Sequence, residues 1–416
     1  MKATFKNLYA DSLLKNSFYL LLTTATMAGF GFVFWLIVSR LYAPEQVGVA
    51  SSLISSMIFL SYVSLLGFNS TFVRFLPKSE KRSEQINTGL IMVGGASLVL
   101  GLLYALIAPA ISAKLGVLHQ HWYSVPLFAL LVMGFAVNLV TDSIFVAFRE
   151  AKFNFYVDGL FASSLQLIVP FLLVSLGSYG IFAAQGSAAF IAMIASITLL
   201  ALRFDFRPRF KIDRATISAV YKYSSGSYLA NLLNIAPTMI LPLTVLNRLG
   251  AAAAGYYYFA FMMANLLFTV GYAITQSLFA EGAHDEVALK HLIMKSLKTM
   301  VMVMIPASLL LGLLGSYILR IFGSDYATQS VDALRILAVS GMAVALYSLL
   351  GVVLRLQGKL RQLIIANAIY CTVIVVMSLE FASRGLVWVA LSFLAGNLAS
   401  AIYMVPAISA GLKNTP

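Results

Sequence analysis

Long apolar segments, each ended by charged residues, Pro or Gly, repeat along the whole chain. A helix needs about 20 apolar residues to cross the ~30 Å hydrocarbon core of a bilayer. The segments do not alternate between apolar and polar residues, as strands of a β-barrel would, so the pattern predicts membrane-spanning helices. Twelve spans are predicted, over residues 17–39, 46–68, 87–111, 123–147, 158–177, 179–202, 222–247, 252–277, 294–319, 332–354, 361–380 and 385–408.

The composition supports an all-α polytopic membrane protein. Of the 416 residues, 61% are hydrophobic and 10% are charged, and the mean hydropathy is +0.91. A soluble domain has far more charged residues. The single cysteine, Cys371, excludes an internal disulfide and a thiol-rich metal site.

The distribution of Lys and Arg predicts the orientation of the chain. With the N-terminus inside, 22 of the 28 Lys and Arg residues fall in the N-terminal tail, the cytoplasmic loops or the C-terminal tail, among them Lys2, Lys6 and Lys413. Such residues collect on the cytoplasmic side. We expect a multi-pass protein of the cytoplasmic (inner) membrane with both termini in the cytoplasm. The net charge of +13 then indicates contact with anionic lipid rather than with nucleic acid.

The sequence indicates an internal duplication in which residues 207 positions apart correspond to each other. The most basic connection, residues 203–222, predicts a linker between two six-helix bundles, with 215–222 an interfacial helix, and divides the chain into domains 1–210 and 211–416. Because each half has an even number of spans, the bundles should be related by a pseudo-twofold axis along the membrane normal. The matching pairs are Lys15 and Lys222, Ser17 and Ser224, Gly48 and Gly255, Gly116 and Gly323, Gly134 and Gly341, and Lys152 and Lys359.

Polar side chains at helical spacing in spans seven and eight predict the wall of a cavity between the bundles. Amides at membrane depth need hydrogen-bond partners. Ser and Thr, in contrast, often hydrogen-bond to the backbone of their own helix, and this is the simpler interpretation of the polar residues of span two. Pro237 and Pro242 predict a bent span seven. The candidates are Asn231, Asn234 and Thr238, with Ser224 and Ser227, in span seven, and Asn265 and Gln276, with Tyr258, Thr269 and Tyr272, in span eight.

Three cations are candidates for binding an anionic headgroup at the cytoplasmic mouth. Lys15 and Lys222 lie at the feet of spans one and seven, and Arg74 at the end of span two. Such groups bind phosphate, but they also enforce membrane topology, and both roles are open.

No motif predicts catalysis, a cofactor or a metal. A phosphate-binding loop is absent, the four His residues lack the partners of a metal site, and no Ser or Tyr has an oriented base. Asp142, the deepest acid in the predicted spans, lies seven residues before Arg149, and the simplest interpretation is that these two side chains face one another.

The segment SRLYAPEQVGVASSLISSMIFLSYVSLLGFNSTFVRFLP and the segments VAFREAKFNFY and LRLQGKLRQ resemble polysaccharide-biosynthesis flippases of the multidrug/oligosaccharidyl-lipid/polysaccharide exporter superfamily. The resemblance covers the whole chain. It implies two bundles that move a polyprenyl-pyrophosphate-linked oligosaccharide to the outer leaflet by alternating access, for cell-surface polysaccharide synthesis. Docking of a polysaccharide polymerase or of glycosyltransferases stays open.

Three other functions compete with a flippase. A cation-coupled multidrug exporter of the same superfamily should have buried acids, which are scarce in the sequence. A major-facilitator transporter should have a different loop after span two than RFLPKSEKRSEQINTG. A membrane scaffold would leave the polar face of span seven unexplained.

Overall fold

The computed structural model describes residues 12–282 and 289–412. Lys2, Lys6, His284 and Lys413, which entered the predictions above, lie outside these residues. The described residues form helices joined by short turns, with no strand among them. The helices are α1 (Ser12–Leu41), α2 (Pro44–Ser64), α3 (Phe68–Phe75), α4 (Arg82–Ile111), α5 (Ser124–Ala147), α6 (Lys152–Leu172), α7 (Gly177–Arg203), α8 (Arg214–Arg248), α9 (Ala251–Gly282), α10 (Leu289–Arg320), α11 (Ser324–Leu356), α12 (Leu360–Phe381) and α13 (Leu386–Leu412).

Twelve helices in the described part of the chain are long and apolar enough to cross a membrane, which confirms the predicted all-α membrane fold. The additional helix, α3, has only eight residues. Helices satisfy their own backbone hydrogen bonds, so they are stable in lipid where irregular chain is not. Helix α6 is unusual because a π-helix, Phe155–Ala162, separates two α-helical segments, Lys152–Asn154 and Ser163–Leu172.

The helices form two compact units. The first contains the chain up to Ala43 together with Leu53–Tyr228, and the second contains Pro44–Ser52 and the chain from Leu229 onward. Helices α2 and α8 therefore each contribute to both units. The division into domains 1–210 and 211–416 remains a prediction from the sequence.

The core of the first unit joins α3, α4 and α5. Phe68 and Phe72 of α3 pack with Val93 of α4 and Phe145 of α5. Helix α3 can turn away from α2 because Gly67 has a left-handed backbone, φ +88°, and lacks a side chain where a Cβ would lie 2.6 Å from Ser224.

The basic linker is held against α4 in the first unit. Asn87 donates through Nδ2 to the Arg207 carbonyl (2.9 Å), and its Oδ1 accepts from the Arg209 amide (2.9 Å). Thr88 Oγ1 accepts from the Asp213 amide at 2.8 Å. Asp213 then caps α8, so 215–222 forms the first turns of this helix rather than a separate interfacial helix.

Close backbone packing joins the ends of α2 and α9 in the second unit. A Cβ on Gly48 would lie 1.8 Å from the Ala251 carbonyl oxygen, and one on Gly255 would lie 2.6 Å from the Pro44 carbonyl oxygen. Only glycine permits such an approach. Gly48 and Gly255, which correspond in the predicted duplication, thus lie at one helix crossing.

Candidate functional site

The predicted polar residues of α8 are divided between the two units. In the first unit, Ser224 Oγ hydrogen-bonds to Thr71 Oγ1 at 2.6 Å. In the second unit, Thr238 Oγ1 donates to the Ile235 carbonyl of its own helix at 2.7 Å, and Asn231 is exposed. The hydroxyl groups of Ser224 and Thr238 therefore already have hydrogen-bond partners within the protein.

Asn234 of α8 begins a hydrogen-bonded chain inside the second unit. Its Nδ2 donates to Tyr347 Oη (2.8 Å), Tyr347 Oη donates to Asn367 Oδ1 (2.8 Å), and Asn367 Nδ2 donates to the Ala230 carbonyl (2.7 Å). The Tyr347 ring stacks on Tyr370, with ring centroids 4.9 Å apart. We call Asn234, Tyr347, Asn367 and the Ala230 carbonyl the amide–tyrosine chain. Every link has a donor and an acceptor, so burial carries no penalty for unmade bonds.

The amide–tyrosine chain forms one side of a cavity of about 180 Å³ within the second unit. The cavity runs from an exposed entrance, at Gln276 and Arg355, to a buried floor at Asn367, which is 1% exposed. Thr275 and Ser348 hydrogen-bond to each other at 3.0 Å on its wall. The lining residues are Asn234, Tyr272, Thr275, Gln276, Tyr347, Ser348, Gly351, Val352, Arg355, Leu363 and Asn367.

Arg355 supplies the positive charge of this cavity. The described residues that line it include no acid, and the salt bridges of the described chain do not involve Arg355. A guanidinium presents donors in a planar fork that matches phosphate or carboxylate. Amide, hydroxyl and phenol groups around it can hydrogen-bond to a polyhydroxylated ligand. The cavity is therefore suited to an anionic group attached to a polar body.

The structure brings three of the predicted polar residues of spans seven and eight into this cavity, Asn234, Tyr272 and Gln276. Asn265, on the same helix as Gln276, is exposed outside it. Asn231 and Thr238 also lie outside the lining. Spacing along one helix predicts which residues share a face, but the depth at which a cavity opens depends on neighbouring helices.

The three predicted basic residues belong to the first unit and do not line the cavity. Arg74 lies over the Tyr223 ring, 4.5 Å from its centroid, and donates to the Tyr223 hydroxyl at 3.1 Å. Lys15 is half-buried and Lys222 is exposed. A role for these three in binding stays a prediction.

Sequence reasoning missed most of the cavity. Tyr347, Gly351 and Arg355 are spaced by four residues on α11, which places them along one face of the helix, and this spacing was a usable signal. Asn367 is an isolated amide in α12 with no such signal.

A family profile supplies the identification. The profile described as "Polysaccharide biosynthesis protein" matches residues 13–279, well over half of the chain. The chain belongs to this family. The match includes α8 and the part of α9 up to residue 279, which contribute Asn234, Tyr272, Thr275 and Gln276 to the cavity. No curated protein sequence matches the chain.

Solved structures with the same fold come from the MOP superfamily. An inward-facing multidrug resistance MATE family transporter aligns with a TM-score of 0.69 at 18% identity, covering 94% of this polysaccharide biosynthesis protein and 96% of the transporter. The lipid II flippase MurJ, in an inward closed conformation, aligns with a TM-score of 0.71 at 12% identity, covering 94% and 87%. A MOP superfamily transporter from Pyrococcus furiosus aligns with a TM-score of 0.63 at 17% identity, covering 97% and 96%. At these identities the likeness establishes the fold.

Proposed function

We propose that this polysaccharide biosynthesis protein is a flippase that moves a polyprenyl-pyrophosphate-linked oligosaccharide across the cytoplasmic membrane by alternating access. The observation that carries the proposal is the cavity of the second unit, in which Arg355 lies among amide, hydroxyl and phenol groups with no acid in the lining. Family membership supports a role in polysaccharide synthesis, and MurJ shows that this fold can serve a lipid-linked substrate.

Each part of this substrate has a matching environment. The pyrophosphate would bind the Arg355 guanidinium, which can make two parallel hydrogen bonds to phosphate oxygens. Sugar hydroxyls would bind Asn234, Gln276 and the phenol of Tyr272 at the cavity wall. A cavity of about 180 Å³ holds only part of a headgroup, and the polyprenyl tail would remain in lipid.

The remaining predicted residues have secondary roles in this proposal. Lys15, Arg74 and Lys222 would attract the anionic headgroup electrostatically before it binds. Asn231, Thr238 and Asn265 would contact the sugars at stages of transport in which the cavity is larger. Both termini would be cytoplasmic, as the distribution of Lys and Arg predicts.

Transfer of a labelled polyprenyl-pyrophosphate sugar between leaflets of proteoliposomes tests the function. We expect faster transfer than in protein-free vesicles. In Arg355→Gln, loss of a charge-assisted hydrogen bond worth about 1.5–3 kcal/mol should slow transfer at limiting substrate about ten- to a hundredfold. The matched control is Arg335→Gln, which removes an exposed arginine of the same helix that pairs with Asp332.

Two results would contradict the proposal at different levels. Wild-type transfer no faster than in empty vesicles would exclude the proposed substrate. Normal transfer by Arg355→Gln would leave the function standing but exclude Arg355 as the anion-binding group.

Cation-coupled drug export remains a second candidate because one argument against it was wrong. Acids at membrane depth are scarce in the sequence, but the structure places Asp142, which is partly buried, beside Asp158, which is 7% exposed, in the first unit. Drug accumulation in a deletion strain separates the two functions: a flippase defect leaves it unchanged, whereas an exporter defect raises it.

A further inference from the structure

The segment that joins α7 to α8 forms a basic surface outside the proposed flippase cavity. It spans residues 204–213, reads FDFRPRFKID and lies entirely in the first unit. We call this segment together with Arg214, the first residue of α8, the linker surface. The net charge of the chain predicts contact with anionic lipid, but it does not indicate which residues make this contact.

Two buried residues of α4 hold the backbone of the linker surface. The Asn87 amide pairs with it as a neighbouring strand would, because Oδ1 accepts from the Arg209 amide and Nδ2 donates to the Arg207 carbonyl, both at 2.9 Å. The Thr88 hydroxyl accepts from the Asp213 amide at 2.8 Å. Asn87 is 5% exposed and Thr88 is fully buried. These hydrogen bonds fix the course of a segment that has no helical structure of its own.

The apolar side chains of the linker surface divide into an inward pair and an outward pair. Phe204 and Phe206 pack in the core of the first unit, together with Phe145 of α5. Phe210, in contrast, is 94% exposed, and Ile212 is 46% exposed. A phenylalanine held in water is unfavourable, because its ring gains free energy when it is removed from water.

Three arginines accompany the outward apolar side chains. Arg207, Arg209 and Arg214 are exposed. None of them takes part in a salt bridge found within residues 12–282 and 289–412. Their guanidinium groups therefore keep their charge for a ligand outside the protein.

Two acids beside these arginines are already engaged with other groups. The Asp213 carboxylate accepts from the Thr216 amide and hydroxyl, at 3.1 and 2.6 Å. Glu84 of α4 pairs with Lys211 at 2.8 Å. Asp205 is the other acid of the segment, and its single charge is smaller than that of the three arginines. The linker surface is therefore positively charged.

The length of α4 indicates the depth of the linker surface in the membrane. A helix of 30 residues is about 45 Å long, whereas the hydrocarbon core of a bilayer is about 30 Å thick. The polar start of α4, RSEQINTG at 82–89, holds the linker, and the mainly apolar sequence begins at Leu90. The linker surface is therefore expected beside the lipid headgroups, on the side that the distribution of Lys and Arg predicts to be cytoplasmic.

We propose that the linker surface is a binding site for anionic phospholipids, in which Arg207, Arg209 and Arg214 bind the phosphate groups and Phe210 inserts between the headgroups. Guanidinium groups match phosphate oxygens in geometry and charge. Basic residues next to an exposed aromatic ring are typical of segments that lie on anionic membranes. This composition and the expected depth favour a lipid over an acidic protein. The site is separate from the Arg355 cavity, so the proposal does not depend on the transported substrate.

The test places a fluorescent reporter on the linker surface, as Phe210→Trp in the full-length protein. The protein is reconstituted in nanodiscs that contain no polyprenyl lipid. They hold equal amounts of phosphatidylglycerol and phosphatidylcholine with identical acyl chains, and only one of the two lipids carries bromine, which quenches tryptophan at short range. The emission of the three native tryptophans is subtracted with the protein that keeps Phe210. The ratio of quenching by the two brominated lipids measures the enrichment of anionic lipid beside residue 210.

Charge variants are made in the reporter protein. The test variant combines three substitutions on the linker surface: Arg207→Gln, Arg209→Gln and Arg214→Gln. The matched control removes the same charge from exposed positions of the second unit: Lys295→Gln, Lys298→Gln and Arg361→Gln.

We expect the brominated anionic lipid to quench the reporter at least about fivefold more than the neutral lipid, since one basic residue changes affinity for an anionic surface by about this factor. The test variant should bring the ratio close to one, and the control should leave it unchanged. Higher ionic strength should lower the ratio by screening the charges.

Three results would overturn the proposal. Equal quenching by the two lipids in the reporter protein would show that the surface does not select anionic lipid. Absence of quenching by either lipid would show that residue 210 faces water, which leaves the surface to a soluble partner such as an acidic protein. An equal decrease in the test variant and the control would assign the enrichment to overall charge. The first two results need no arginine substitution, so they stand even if the test variant fails to fold.

Discussion

The two buried polar clusters differ in how their hydrogen bonds are completed. In the amide–tyrosine chain of the second unit, Asn234, Tyr347 and Asn367 are neutral, and each donor finds an acceptor. In the acid cluster of the first unit, formed by Asn138, Asp142, Asn154 and Asp158, the Asn138 amide donates to Asp158 Oδ1, and four buried side-chain oxygens lack a hydrogen-bond partner. Both clusters contain Asn side chains on helix faces. Only in the amide–tyrosine chain do all the buried polar side-chain atoms have hydrogen-bond partners.

Because of this difference, the geometry of the first cluster should be fixed, whereas that of the second should depend on its charge. The amide–tyrosine chain can hold its geometry without a ligand, as a binding wall should. In the acid cluster two neighbouring carboxyl groups lie in a buried environment, so the energy of the cluster depends on whether they are charged or protonated. Asp213, outside the spans, shows the opposite case of an acid with several donors. Its carboxylate accepts from the Ala215 and Thr216 amides and from the Thr216 hydroxyl.

The largest effect is expected from Asn367→Leu, which breaks the amide–tyrosine chain at its buried end. The change leaves the Tyr347 hydroxyl and the Ala230 carbonyl without Asn367, and each orphaned group costs about 1–3 kcal/mol. We expect a lowered thermal midpoint for the purified protein in detergent. Asn265→Leu, at an exposed position, is the control, and equal midpoints for the two variants would refute the assigned role of Asn367.

A smaller effect is expected from Tyr347→Phe, which removes one hydroxyl and keeps the ring that stacks on Tyr370. Asn234 Nδ2 and Asn367 Oδ1 both lose their partner, but water can enter the cavity to replace it. We expect a loss of about 1–2 kcal/mol in stability and weaker substrate binding. Tyr317→Phe, at a side chain that is 68% exposed, should change neither thermal midpoint nor binding. A Tyr347→Phe variant as stable as wild type would show that the hydroxyl is dispensable.

The smallest effect is expected from Asp213→Ala, which removes the cap of α8. Hydrogen bonds from Thr216 hold the pKa of Asp213 below its ordinary value. The stabilisation is therefore complete above the unfolded pKa of about 3.9 and is lost as the pH falls through the lower folded pKa. At pH 7 the variant should lose about 1 kcal/mol of stability, and the difference from wild type should shrink below about pH 4. Thermal unfolding across this range measures it, and a difference independent of pH would assign the loss to another cause.

The sequence was sufficient to predict the membrane fold because it depends on long apolar runs, a property of consecutive residues. The spacing of polar residues on α8 and α9 also singled out Asn234, Tyr272 and Gln276, which line the cavity, although their role in binding stays a prediction. Asn367 could not be found this way, since its partners, Tyr347 and the Ala230 carbonyl, lie on two other helices. Contacts between helices depend on packing, which periodicity does not encode.

Asp158 was missed for a more specific reason. The predicted fifth span began at residue 158, which placed this acid at the membrane surface, whereas α6 begins at Lys152. The polar residues Lys152 and Asn154 at the start of the segment moved the predicted boundary inward. Asp142 was noticed, but its partner was sought along its own helix at Arg149, when the facing residue was on the next one.

The π-helix in α6 also affects how relatives of different length can form the same membrane span. A π-helix bonds each amide to the fifth preceding residue instead of the fourth, so Phe155–Ala162 accommodates more residues per turn than regular α-helix. Removing one residue there would restore α-helical bonding and leave Ser163–Leu172 in nearly the same phase relative to Lys152–Asn154, because eight π-helical residues sweep about the same angle as seven α-helical ones. A homologue one residue shorter at this place would therefore keep the faces of both flanking segments, and a gap in any comparison of relatives belongs inside Phe155–Ala162.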